Sequence, residues 1–106
     1  MSVHSVAGIN AEPDIVLIRW RVLQTDQGSR HLAGARADIF DGRVSTAIVS
    51  FDVSERVAVT QSGRIYQLSG PPGHSEDAQY VWERWCVANN ITSYEDVTSS
   101  FWSTAS

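Results

Sequence analysis

The chain reads as an α+β fold: a twisted antiparallel β-meander of five strands packed by its concave face on a C-terminal α-helix, with a short second helix after it. Three observations predict this. Apolar residues alternate between positions 15 and 68 and then recur at helical spacing from Ala78 onward. Turn residues (Asp26-Gln27-Gly28, Asp41-Gly42, Asp52 to Glu55, Ser62-Gly63) punctuate the first part at the short intervals that hairpins require. The run Gly70-Pro71-Pro72-Gly73 separates the two regimes. With 106 residues the chain is near the commonest domain size, and one core suffices to hold it. We expect residues 1–13 to form a mobile N-terminal tail, because they show no period, and residues 14–103 to form a single α+β domain.

Ile15 to Leu23 opens as a continuous apolar run and then alternates, with Ile18, Trp20 and Val22 on one face and Arg19 and Arg21 on the other. Arg30 to Ala37 is a weaker strand, in which Gly34 marks a bulge or a close backbone approach. Asp41-Gly42 is a strong hairpin signal, and Val44 to Phe51 follows as one strand. Asp52 opens a turn of the type I kind. Arg56 to Thr60 and Arg64 to Leu68 form the last hairpin around Ser62-Gly63. Strands joined by such short turns make sequential antiparallel pairing the simplest topology.

Beyond the Gly-Pro-Pro-Gly stop, Ser75 suits an N-cap, and Glu76 and Asp77 complement the helix dipole in the first turn. Ala78, Val81, Trp82, Trp85, Cys86 and Asn89 fall on one helical stripe, the buried one, while Glu83 and Val87 face away. The helix should end near Asn89-Asn90. Thr92-Ser93-Tyr94-Glu95 fits a capping box and predicts a second helix carrying Val97, Phe101 and Trp102, fraying from Ser103.

The run Ser62-Gly63-Arg64-Ile65-Tyr66-Gln67-Leu68-Ser69-Gly70-Pro71-Pro72-Gly73, followed by Asp77-Ala78-Gln79-Tyr80-Val81-Trp82-Glu83-Arg84-Trp85, resembles the signature of a group of small uncharacterised bacterial proteins. The likeness covers the middle and later two-thirds of the chain. It implies a bacterial source and carries over no activity and no catalytic residue.

Composition narrows the function classes. One cysteine, Cys86, rules out an internal disulfide and suits a reducing cytoplasm. The first residues have neither the basic nor the apolar region of a secretory signal, and no apolar run approaches the ~20 residues of a membrane span. The formal net charge is −4, and all eight basic residues are arginine. Between residues 15 and 69, seven arginines face five acidic residues; from residue 70 onward, Arg84 alone faces five. A duplex-DNA binder would carry a stronger basic field.

Candidate chemistry is sparse. The Gly70 to Ser75 loop leads into a helix N-terminus, but it lacks the lysine and spacing of a phosphate-binding loop, and Glu76 and Asp77 occupy the place of an anion. Cys86 falls on the buried stripe among tryptophans, where a thiol acts as a small hydrophobe. His4, His31 and His74 lie too far apart in sequence for metal-ligand spacing, so neither a metal nor a cofactor is expected. Asp38, Asp41, Glu95 and Asp96 have turn and cap roles. The residue that does not fit the core is Tyr80, off the buried stripe, with Arg84 one turn later able to stack on it and Val87 close by. The expectation is therefore a non-enzymatic cytoplasmic interaction or regulatory protein that binds another protein, or itself, through Tyr80, Arg84 and Val87 or through a sheet edge. The alternative is weak binding of single-stranded nucleic acid across a sheet face bearing Arg19 and Arg21, aided by Arg43, Arg56 and Arg64 at strand beginnings.

Overall fold

A computed structural model of the chain describes residues 13–103; the expected tail up to residue 12 and residues 104–106 lie outside the described residues. Nine elements follow in order: β1 (Ile15–Thr25), β2 (Arg30–Arg36), β3 (Gly42–Val44), β4 (Ile48–Asp52), β5 (Val57–Thr60), β6 (Ile65–Leu68), α1 (Glu76–Ala88), β7 (Tyr94–Asp96) and α2 (Thr98–Ser103). The α+β class stands, but the sheet has seven strands and is mixed. Its order is β3-β2-β1-β6-β5-β4, with β7 also on β1, and the β1–β6 pair is parallel.

The long β1 is the axis of the molecule. One of its edges carries β2. The other is filled in sequence by β6 at Ile15 to Leu17, by the main chain of Ser69 and Gly73 donating to Leu17 and Trp20, and by β7 at Leu23 to Thr25. Between these, Val22 N–H donates to Thr98 Oγ1 (2.8 Å) and its carbonyl accepts from Val97. A central buried strand must have every N–H and C=O paired, and this need explains two departures from the meander. The first is the parallel β6. The second is β7: Tyr94 to Asp96 does not open a helix from a capping box but extends beside β1, while Thr92 Oγ1 donates instead to Asp26 Oδ2 (2.7 Å). The helix starts later, with Asp96 Oδ1 accepting from Thr98 N–H (2.9 Å).

Val44 to Phe51 is not one strand. It is split at Ser45-Thr46-Ala47, where the chain leaves one end of the sheet and joins the other. Ser45 is tied to β2 by its N–H to the Leu32 carbonyl and by its Oγ, which accepts from Leu32 N–H; Ala47 O and Thr46 Oγ1 accept from Gln61 and Ser62 beyond β5. Three residues bridging the two ends force the sheet to curl. Since β3 pairs β2 and β4 pairs β5 and not each other, the curl stays open and is no closed barrel.

The curl holds its own core. Ile15, Leu17, Trp20, Val22, Leu32, Ala58, Tyr66 and Leu68 form one buried cluster, closed by Ile48 and Phe51 of β4 and by Val97 and Phe101 at α2. The expected packing of this face on the main helix is therefore reversed: α1 lies on the opposite, outer face. There Leu23 and Ala33 from the sheet meet Ala78, Trp82 and Cys86 of α1, with Val44, Trp85 and Ile91 alongside. Leu32 and Ala33, adjacent in β2, thus serve different cores, as alternation along a strand dictates.

Two glycines permit the close fit. A Cβ on Gly42 would sit 2.3 Å from the Asp77 carbonyl carbon, so β3 touches the first turn of α1 only because that position has no side chain. Gly34 lies against Ile18 and Trp20, where β1 carries a bulge with Arg19 at φ 51° as its extra residue. The close approach expected at Gly34 is real, and the bulge is on its partner strand. α1 begins as expected, with Ser75 Oγ accepting from Ala78 N–H (3.1 Å), and it ends at Asn89 with Asn90 at φ 58°. Among the described residues no helix is long and apolar enough to cross a membrane.

Candidate functional site

Two of the exposed large apolar side chains on regular elements lie on the outer stripe of α1; a third, Val49, stands alone on β4. Ala78, Trp82 and Cys86 are buried beneath the helix, and at 100° per residue Tyr80, Glu83, Arg84 and Val87 fall on the opposite side. Tyr80 is 60% and Val87 80% exposed. Arg84 arches back over Tyr80: its Nη1 donates to the phenol oxygen (3.2 Å) and its guanidinium lies 5.7 Å from the ring centre. Together with Glu83 and Ala88 these residues line a shallow groove of about 400 Å³. The three residues singled out by periodicity are thus brought together on one rigid surface.

A second concavity, of about 540 Å³, borders the N-terminal end of α1. It is lined by Ile18, Arg19, Ala35, Phe40, His74, Ser75, Glu76 and Asp77. Phe40 is 65% exposed and held in the left-handed region (φ 63°) by its N–H, which donates to the Arg36 carbonyl (2.7 Å). An aromatic residue is expected in the core, but Phe40 is not there; its signal in the sequence is the apolar pair Ile39-Phe40 directly before the Asp41-Gly42 turn, and both residues are exposed.

Arg19 and Arg21 do not share an open sheet face. The bulge breaks the alternation between them. Arg19 lines the cleft beside Glu76 and Asp77, whereas Arg21 donates to Gln79 Oε1 on α1 and lies 3.8 Å from Asp96. Both therefore flank the helix-covered side of the sheet. Arg43 donates from Nε to the buried Tyr66 hydroxyl (3.3 Å). Arg36 pairs with Asp38 (3.0 Å), and its hydrogen bond holds that carboxyl below the usual range.

Cys86 and His31, two of the groups with nucleophile or base chemistry, are engaged in packing. Burial pushes the Cys86 thiol up, helped by the charges of Asp26 and Glu83. His31 is buried where β2 meets α1, its ring 4.5 Å from that of Trp85 and 5.6 Å from that of Trp82. Its Nδ1 lies 2.9 Å from the Ser45 carbonyl, which can only accept, so that nitrogen carries the proton and Nε2 accepts from Ser29 Oγ (2.9 Å). Burial lowers its pKa, with the Ser45 bond opposing. His74 is exposed at the cleft, and His4 lies outside the described residues. Among the described residues no three His, Cys, Asp or Glu side chains gather in a metal-binding group.

Compared with protein-family models, with curated proteins and with solved structures, the chain matches none.

Proposed function

We propose that this chain is a non-enzymatic interaction protein of the cytoplasm whose contact surface is the outer stripe of α1, centred on Tyr80, Arg84 and Val87. The observation that carries this reading is the exposure of two large apolar side chains, Tyr80 and Val87, on the best-anchored helix of the molecule, with Arg84 stacked over the tyrosine. Tyr and Arg on a pre-ordered element lose little entropy on binding and dominate contact energetics elsewhere. The engagement of Cys86 and His31 in packing favours binding over catalysis. The acidic residues Glu76, Asp77 and Glu83 on the same side disfavour a polyanion there.

The test compares wild type with Tyr80→Ala and Val87→Ala in affinity capture, alongside thermal unfolding. Loss of the captured protein with an unchanged Tm supports the reading. Full retention of capture by both variants overturns it. Retention on heparin that falls steeply with salt, and that weakens in Arg19→Ala and Arg21→Ala, would favour nucleic acid instead.

A further inference from the structure

Taking that face as the contact surface, we propose that α1 docks on α1 of a second copy of this chain, antiparallel, in a two-fold dimer in which Tyr80 of each copy packs on Val87 of the other and Glu83 of each faces Arg84 of the other.

The outer stripe is self-complementary. A two-fold axis passing between Glu83 and Arg84, across two antiparallel helices, sets Glu83 opposite Arg84 twice and Tyr80 opposite Val87 twice. The charges choose the orientation. Parallel helices in register would set Glu83 on Glu83 and Arg84 on Arg84, and like charges at contact distance repel. The antiparallel arrangement also aligns the two helix dipoles favourably. Arg84 reaches the second copy without leaving Tyr80, because the guanidinium has five donors and the phenol oxygen takes up one side of the fork.

The surface is prepared for such a contact. Ser75 caps the helix, Gly42 lets β3 lie against its first turn, Trp82 locks its inner side at full burial, and Gln79 Nε2 already donates to Glu83 Oε2 (2.9 Å), leaving the other carboxylate oxygen for the second copy, so docking orders little. The groove of about 400 Å³ lined by Tyr80, Glu83, Arg84, Val87 and Ala88 receives the facing aromatic ring. One helix face is smaller than the ~800 Å² per partner of a standard interface, so the dimer is weak and dissociates on dilution.

Sedimentation equilibrium of the full chain from micromolar to millimolar concentration tests this. The expected result is a mass that rises from monomer toward dimer for wild type and stays at monomer for Tyr80→Ala, for Glu83→Arg and for Arg84→Glu. The double variant Glu83→Arg/Arg84→Glu re-creates the opposed charges and regains the dimer. All three substituted positions are exposed, and an unchanged Tm verifies that each variant folds. A monomer at every concentration overturns the dimer; if Tyr80→Ala still abolishes capture of a different protein, the contact surface itself stands. A dimer that survives Tyr80→Ala and Glu83→Arg, or a double variant that stays monomeric, also overturns it.

Discussion

The molecule has two cores, one on each side of the same sheet, and they are built differently. Inside the curl, every buried side chain is apolar or has its polar atom matched: the Trp20 indole donates to the Gly70 carbonyl (3.1 Å) and the Tyr66 hydroxyl accepts from Arg43. Under α1 the core is mixed. It holds His31, its ring tilted at 54° against that of Trp85, and the Trp82 indole nitrogen, the one buried side-chain N or O atom without a hydrogen-bond partner among the described residues. The lesson is one of assembly. The inner core is enclosed by strands that must pair anyway, whereas the outer core depends on how well one helix fits one face. Its tolerance for a histidine and an unmatched indole follows from that looser demand.

The largest effects should come from the inner core. Leu17 is fully buried at the centre of the curl, and Leu17→Ala should destabilise by about 2–5 kcal/mol in urea unfolding, with the chain still binding-competent at low temperature. A change below 1 kcal/mol would mean that the curl is not closed around it. Next is the joint between the cores: Gly42→Ala drives a methyl into the main chain of Asp77 and Ala78 and should cost about 3 kcal/mol, since neither backbone can yield without moving the helix.

The two fully buried indoles sharpen the contrast. Trp20→Phe loses the indole hydrogen bond to the Gly70 carbonyl, which keeps only the longer one from Arg56 Nη1 (3.5 Å), whereas Trp82→Phe removes an unmatched donor, so the first should cost about 1 kcal/mol more than the second. Equal costs would show that Trp82 Nε1 has a partner after all. The outer core also carries the pH dependence. The folded pKa of His31 is lowered, so the unfolded chain takes up its proton first; the stabilisation is complete above the unfolded value of 6.5 and is lost as pH falls through the folded value. Urea midpoints should therefore drop on acidification across that window, and the His31 ring should titrate below an exposed imidazole by NMR. A His31 titration at or above 6.5 would contradict the assignment. The smallest effect belongs to the outer stripe: Tyr80→Ala should shift stability by no more than about 0.5 kcal/mol, and a larger loss would mark Tyr80 as structural.

Several turns and one cap were legible from neighbours in sequence, although the capping box expected at Thr92 to Glu95 was not formed. Gly28 and Gly63 take the positive φ their turns require, Asp52 accepts from Glu55 N–H to close its turn, and Ser75 caps α1. The outer stripe of Tyr80, Arg84 and Val87 followed from helical periodicity alone. The cleft at Phe40 did not, because it is made by three segments that meet only after the sheet curls. The split at Ser45 to Ala47 was hidden for a related reason. Small polar residues alternate with apolar ones just as strand residues do, and only their hydroxyl contacts with Leu32 and Ser62 show that the pairing partner has changed.

By itself, then, the amino-acid order determined that β1, β2, β5 and β6 extend, where the turns between them fall, where α1 begins and which of its sides meets water, because these are set by backbone preference and by the spacing of apolar groups. Tertiary structure decided which strands became neighbours, that β6 runs parallel to β1, that Tyr94 to Asp96 became a strand, and which face of the sheet the helix covers. The physical reason is that hydrogen-bond demand along a buried central strand is met by whatever chain can reach it, and reach is a property of the folded whole.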